Sequence, residues 1–203
     1  KTDQKLSADS CKSLEEVSAV LFGGSAAGRE YNRGLCEPFN LGQIDSHEFY
    51  QSVRETLGLK MSYEEFVEAW TNIFTLNTKV ISLIDTFHSL GIPQCAVSST
   101  NPLHMEKMVQ LARLDELIGR NYFVTTYGVG VKKPERPLFE TASHVLQKPL
   151  EECVYVDDVV KYVDAALQYG VGAGVHVDLT QSDFEISCVV KVGRLLSHYI
   201  ATH

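Results

Sequence analysis

The run Cys153-Val154-Tyr155-Val156-Asp157-Asp158 constrains this chain more than any other stretch. Its β-branched and aromatic residues suit a short strand covered on both faces. It ends in two adjacent carboxylates. A helical segment from Val160 to Gln168 follows at once, and Gly170 stands where that helix should stop. Open α/β sheets place their ligands beyond the carboxyl ends of parallel strands, which is where this acid pair would lie. Two neighbouring carboxylates repel unless a cation or hydrogen bonds hold them. Mg²⁺, a hard ion that favours oxygen ligands, is the natural cation. The plainer reading is one acid capping the helix and the other in solvent.

The stretches around this run alternate in the same way. Val80, Ile81, Ile84, Phe87 and Leu90 make a helix that stops at Gly91, and Pro93 to Val97 supplies a strand. The polar run Ser98-Ser99-Thr100-Asn101 follows, with Pro102 in a first helical turn. Tyr122 to Thr125 reads as a second strand. A loop with Gly128, Gly130, Lys132, Lys133 and Pro134 leads into a helix carrying Leu138, Ala142, Val145 and Leu146. Gly174 to Val177 reads as the last strand, and an amphipathic helix from Phe184 to Ile200 closes the chain. The pattern predicts an α/β fold, a parallel sheet with helices on both faces.

Residues 1–77 read differently, as helices without a clear strand. Asp45-x-x-Glu48 and Ser62-x-x-Glu65 are capping boxes. Phe49, Val53 and Leu57 form one apolar stripe, and Phe66, Trp70, Ile73 and Phe74 form another, with Trp70 as a core anchor. The small residues from Gly23 to Gly28 lack a lysine in phosphate-loop spacing and read as a connector. The expected organisation is a helical unit over 1–77 and an α/β core over 78–203.

Composition narrows the partners. The formal charge of −8 argues against binding to a nucleic-acid backbone, and no apolar run approaches a membrane span. Five widely spaced cysteines without a C-x-x-C suit free thiols in a reducing cytoplasm rather than a disulfide framework or a zinc site.

A hydroxyl cluster, a lysine and a carboxylate pair thus stand at the ends of successive strands, in the combination phosphoryl chemistry uses. Hydroxyls and helix-start N–H groups grip phosphate oxygens, a lysine opposes their charge, and carboxylates hold a metal that bridges to them. From Gly42 to Val177 the chain resembles the haloacid-dehalogenase-like (HAD) hydrolases, in the branch of the bacterial glucose-1-phosphatases and the amino-terminal domain of epoxide hydrolases. CAVSSTNPLHMEKM resembles the second motif of that family, GVKKPERPLFETA the third and VYVDDVVKYVDAALQYGV the fourth. The helical stretch Gly42 to Phe74 resembles the small cap inserted after the first motif.

The resemblance implies an HAD-like Rossmannoid core with a helical cap. It implies Ser98, Ser99 and Lys133 on the phosphate, Ser98 and Lys133 as catalytic groups, and Asp157 and Asp158 on Mg²⁺. The implied activity is a Mg²⁺-dependent phosphatase or hydrolase that attacks a small phosphorylated metabolite through an aspartyl-phosphate. A dehalogenase is a weaker fit, because those relatives generally need no metal. Ser99 stands where the branch usually has Asn, and Tyr162 where a polar residue is common.

The first motif, a strand ending in D-x-D that carries the nucleophile, does not precede the cap. Asp3 and Asp9 lack a flanking apolar strand, and Val17 to Phe22 runs into Gly-Gly. In the family that strand lies between those ending at Ser98 and Asp157. Two expectations follow. Either residues upstream of Lys1 supply the strand and its aspartate, or Val17 to Phe22 or a partner's strand fills the slot and the protein is a silent HAD-fold binder of a phosphorylated ligand or a partner protein.

Overall fold

The computed structural model describes residues 2–23 and 34–202. The connector after Gly23 lies outside them, as do Tyr31 and Arg33. The chain divides into two units. One comprises Lys1–Thr75, Ser99–Arg113 and Thr125–Lys132; the other comprises Leu76–Ser98, Leu114–Val124 and Lys133–His203.

The first unit is helical. It holds α1 (Thr2–Ser10), α2 (Leu14–Phe22), α3 (Cys36–Asn40), α4 (Ser46–Leu57) and α5 (Tyr63–Thr71), joined by the later helix α7 (Pro102–Ala112). Both expected capping boxes form. The Asp45 carboxylate accepts from the His47 and Glu48 amides, and Ser62 accepts from Glu65. A third box, Ser13 with Glu16, opens α2 and was not anticipated. That box also removes one way of filling the sheet: Val17 to Phe22 is helical, with Val17 and Leu21 fully buried. The core is aromatic. Phe49 stacks on Phe39 at 4.3 Å and meets the edge of Trp70 at 4.9 Å, and Trp70 is 4% exposed, as a core anchor requires. At Gly42 (φ +67°) a Cβ would stand 2.2 Å from the Tyr127 carbonyl, so only glycine fits there.

The segment after the first strand joins this unit through one polar network. Asn101 caps α7 by accepting from the His104 amide, and its Nδ2 donates to Asn40 Oδ1 and to His104 Nδ1. The opposite ring nitrogen meets the Trp70 carbonyl at 3.1 Å. A carbonyl only accepts, so the proton sits on Nε2 and Nδ1 is the acceptor, which is the neutral imidazole. Burial lowers the His104 pKa from 6.5, and the Trp70 carbonyl opposes this only in part. Between the folded and unfolded values the unfolded chain binds the extra proton. Stability is therefore held above pH 6.5 and lost as pH falls from there toward the folded value. We expect the urea midpoint to drop between pH 7.5 and 5.5, with His104→Gln removing part of that slope; an unchanged slope would show that the network does not sense the proton.

The second unit carries α6 (Thr78–Ser89), β1 (Ala96–Ser98), α8 (Leu114–Leu117) and β2 (Phe123–Thr125, whose last residue belongs to the first unit). After the short helix α9 (Thr126–Val129) of the first unit come α10 (Arg136–Leu146), β3 (Val154–Asp157), α11 (Val160–Gln168), β4 (Ala173–His176) and α12 (Phe184–Thr202). All four expected strands form within three residues of their predicted limits. Alternation along β3 splits the core. Val154 and Val156 pack with Leu83 and Phe87 of α6 and Phe184, Cys188 and Val192 of α12, while Cys153 and Tyr155 pack with Phe139 of α10 and Ala166 of α11. Helices thus cover both faces.

Among the described residues the strands do not form one sheet. β1 pairs with β2, and β3 pairs in parallel with β4, matching Val154 to Ala173 and Asp157 to His176. The Cys153 and Asp157 carbonyls accept from Ala173 and Val177. In a parallel ladder alternate residues serve the same neighbour, so Val154 and Val156 turn their N–H and C=O groups to the opposite edge. Among the described residues no strand meets that edge. The inner strands β1 and β3 are half-buried throughout, while Val124 of β2 and Val175 of β4 are buried. A closed sheet shows the reverse, its central strands being the best covered.

All five cysteines are free. Cys36 and Cys188 are buried and Cys11 is exposed. Among the described residues no helix is long and apolar enough to cross a membrane.

Candidate phosphoryl site

Lys133 organises the carboxyl ends of the inner strands. Its Nζ donates to the Val97 carbonyl at 3.2 Å and to Asp157 Oδ2 at 2.7 Å, so one ammonium ties the end of β1 to the end of β3. An ammonium has three donors, and the third meets no protein acceptor among the described residues. The rings of Tyr155 and Tyr162 lie 5.6 and 5.1 Å from the same nitrogen, within cation–π range. Its neighbour Lys132 is engaged elsewhere, on Glu37 of the helical unit.

The two aspartates differ. Asp157 accepts three hydrogen bonds: Oδ2 accepts from Lys133 and from the Tyr155 hydroxyl at 2.7 Å, and Oδ1 accepts from the Val159 amide at 2.8 Å. The side chains of Lys133 and Asp157 are 10% and 7% exposed, so water screens their attraction little. Asp158 is exposed, and its carboxylate has no partner among the described residues, although its carbonyl accepts from His176 Nε2 at 3.2 Å. Burial, then the hydrogen bond to Asp157, pushes the Tyr155 hydroxyl far up, so it stays a donor. Tyr162 is also raised, first by burial and then by the charges of Asp157 and Asp158.

Ser98 ends β1 one residue beyond the carbonyl that Lys133 grips, and its half-buried hydroxyl has no partner among the described residues. Ser99 is exposed and belongs to the helical unit. Three of the four elements singled out in the sequence, Ser98, Lys133 and the acid pair, therefore meet at one end of the sheet unit. Tyr155 was read only as an apolar strand residue. Its position two before Asp157, hence on the same face of the strand, was the available signal.

No protein-family model matches the chain. Solved structures do match it. A HAD family enzyme of Bacteroides thetaiotaomicron, crystallised with magnesium and inorganic phosphate, superposes with a TM-score of 0.67 at 17% identity, over 83% of this chain and 86% of that one. A predicted HAD-like family hydrolase of Porphyromonas gingivalis gives 0.66 at 17% identity, over 93% and 89%. This chain has the HAD fold. A magnesium complex of the Bacteroides enzyme gives 0.63 at 18% identity. In an HAD fold the end of the sheet that holds Lys133 is the end where ligands of open α/β sheets bind.

The metal question rests on the donors present. Among the described residues no three His, Cys, Asp or Glu side chains gather as a metal cage. Mg²⁺ needs no such cage. It keeps several waters and binds through one or two carboxylates plus substrate phosphate, all oxygen. The unpartnered Asp158 carboxylate fits that requirement, whereas Asp157 already accepts three hydrogen bonds and offers only the remaining lone pair of Oδ1. A cavity of about 170 Å³ lined by His176, Asp178, Phe184 and Lys191 lies off the end of β4 and includes neither Lys133 nor the acid pair.

Proposed function

We propose that this chain carries the phosphate- and metal-holding part of a Mg²⁺-dependent phosphatase that acts on a small phosphorylated metabolite. The observation that supports it most is Lys133, clamped between β1 and Asp157 with one N–H left over. That donor and the Ser98 hydroxyl stand ready for two phosphoryl oxygens. Asp158 is the carboxylate that would hold Mg²⁺, and Asp157 fixes Lys133. When bound, the metal neutralises charge on the phosphoryl oxygens. The HAD neighbour that holds magnesium and phosphate supports the same assignment.

Hydrolysis by the family's route also needs an aspartate on a strand seated between β1 and β3. That carboxylate would attack phosphorus as the P–O bond to the alcohol breaks, giving an aspartyl-phosphate that water cleaves to free phosphate. Lys133 and Ser98 would hold the equatorial oxygens through both steps.

The open edge of β3 favours a second reading, a silent HAD-fold protein that binds a phosphorylated ligand or takes a partner's strand. Calorimetric titration with inorganic phosphate, with and without Mg²⁺, combined with a turnover assay separates the two. Mg²⁺-linked phosphate binding with turnover supports the phosphatase, and binding without turnover supports the binder. Absence of both phosphate and Mg²⁺ binding rejects phosphate recognition altogether.

A further inference from the structure

We propose that Tyr155 is the positioning residue of this site, holding the Lys133 ammonium and the Asp157 carboxylate at a fixed separation. The inference rests on the reading of Lys133 as the phosphate lysine. Tyr155 touches both charges, with its hydroxyl donating to Asp157 Oδ2 at 2.7 Å and its ring 5.6 Å from Lys133 Nζ. The ring is itself braced, meeting the buried Phe139 edge-on with centroids 5.1 Å apart. A rigid strand therefore carries an aromatic tether whose two ends grip opposite charges.

The consequence follows from counting lone pairs. Oδ2 accepts from Lys133 and Tyr155 together, while Oδ1 serves the Val159 amide. With the hydroxyl in place Oδ2 is shared, and the ammonium is left able to turn its third donor to a ligand. Without it, only the Val159 amide and Lys133 hold the carboxylate, which can turn, and the third N–H loses its fixed direction. The strand, the ring and the fold are unaffected. Phosphate recognition should suffer while stability falls only by the hydrogen bond lost from Asp157, since Phe keeps the ring and its contact with Phe139.

Tyr155→Phe is the test, read in three ways on the whole chain. Its melting point should stay within a few degrees of wild type. Inorganic phosphate in the presence of Mg²⁺ should bind about three- to ten-fold more weakly, the worth of one ordinary hydrogen bond, since the bond lost is to Asp157 and not to phosphate. The ¹⁵N signal of the Lys133 ammonium, sheltered from exchange in the wild type, should shift or broaden. An unchanged ammonium signal overturns the proposal whatever phosphate does. So does unchanged phosphate affinity alongside a large loss in Lys133→Met. If wild type fails to bind phosphate while the ammonium signal still moves in Tyr155→Phe, the phosphatase reading falls and the tether stands. If Tyr155→Phe does not fold, the ¹³Cζ signal of Tyr155 is read in Lys133→Met. It should shift because both donors share Oδ2, and no shift overturns the proposal.

Discussion

Lys133→Met should abolish phosphate recognition and destabilise the protein at once. Methionine keeps the length of the side chain but removes the charge and all three donors. The donor aimed at phosphate disappears, and loss of such a preorganised group costs on the order of 100- to 1,000-fold in turnover. Phosphate affinity measured by titration should fall to the limit of detection. The stability cost has a separate origin. Asp157 is left at 7% exposure with Tyr155 and Val159 as its remaining donors. Breaking a buried pair from one side costs about 3–5 kcal/mol, and the two surviving hydrogen bonds place this case at the low end, about 3 kcal/mol. Adding Asp157→Asn to Lys133→Met should recover part of that stability without restoring phosphate binding. Chemical denaturation of the two variants checks this. If Lys133→Met keeps wild-type stability, the pair is not the clamp described above.

Asp158→Asn should do the opposite, leaving the fold intact and removing the metal. Asp158 is exposed and its carboxylate makes no hydrogen bond among the described residues, so unfolding should stay within about 0.5 kcal/mol of wild type. Mg²⁺ affinity should fall by about 100-fold or more, since losing a group that merely supports a metal ligand already costs 10- to 100-fold. Asp157→Asn gives the contrast. It should lose stability, because a neutral amide is a poor partner for a buried ammonium, and Mg²⁺ binding should suffer less. Equal metal effects in the two variants would mean that both acids share the ion.

This division of labour was not legible in the sequence. Asp157 and Asp158 are adjacent, and adjacent residues at a strand end point to opposite sides. Which one turns toward Lys133 depends on a contact with a residue 24 positions away, which only the fold supplies. The strands themselves were legible, because Val154 to Asp157 and Ala173 to His176 combine β-branched residues with a glycine-marked return. So were the capping boxes at Asp45 and Ser62, which are local. The attachment of α7 to the helical unit was not, since it depends on Asn101 and His104 meeting Asn40 and Trp70 far back in the chain. The aromatic tether was hidden for a simpler reason: tyrosine in an apolar strand counts as a β-former before it counts as a donor.

The unpaired edges of β1 and β3 bear on the central claim. The sequence lacked a strand ending in D-x-D, the structure shows two separate strand pairs where the HAD fold has one sheet, and α2 does not fill the place between them. A strand seated there would complete the ladder and would bring a carboxylate toward the phosphate proposed to lie on Lys133 and Ser98. Phosphate release from p-nitrophenyl phosphate and from sugar phosphates, measured on the gene product that contains this chain, is the most direct test. The account predicts release that requires Mg²⁺, stops with a chelator and is lost in Lys133→Met. Release that persists without metal, or no release from the full-length protein, would contradict it.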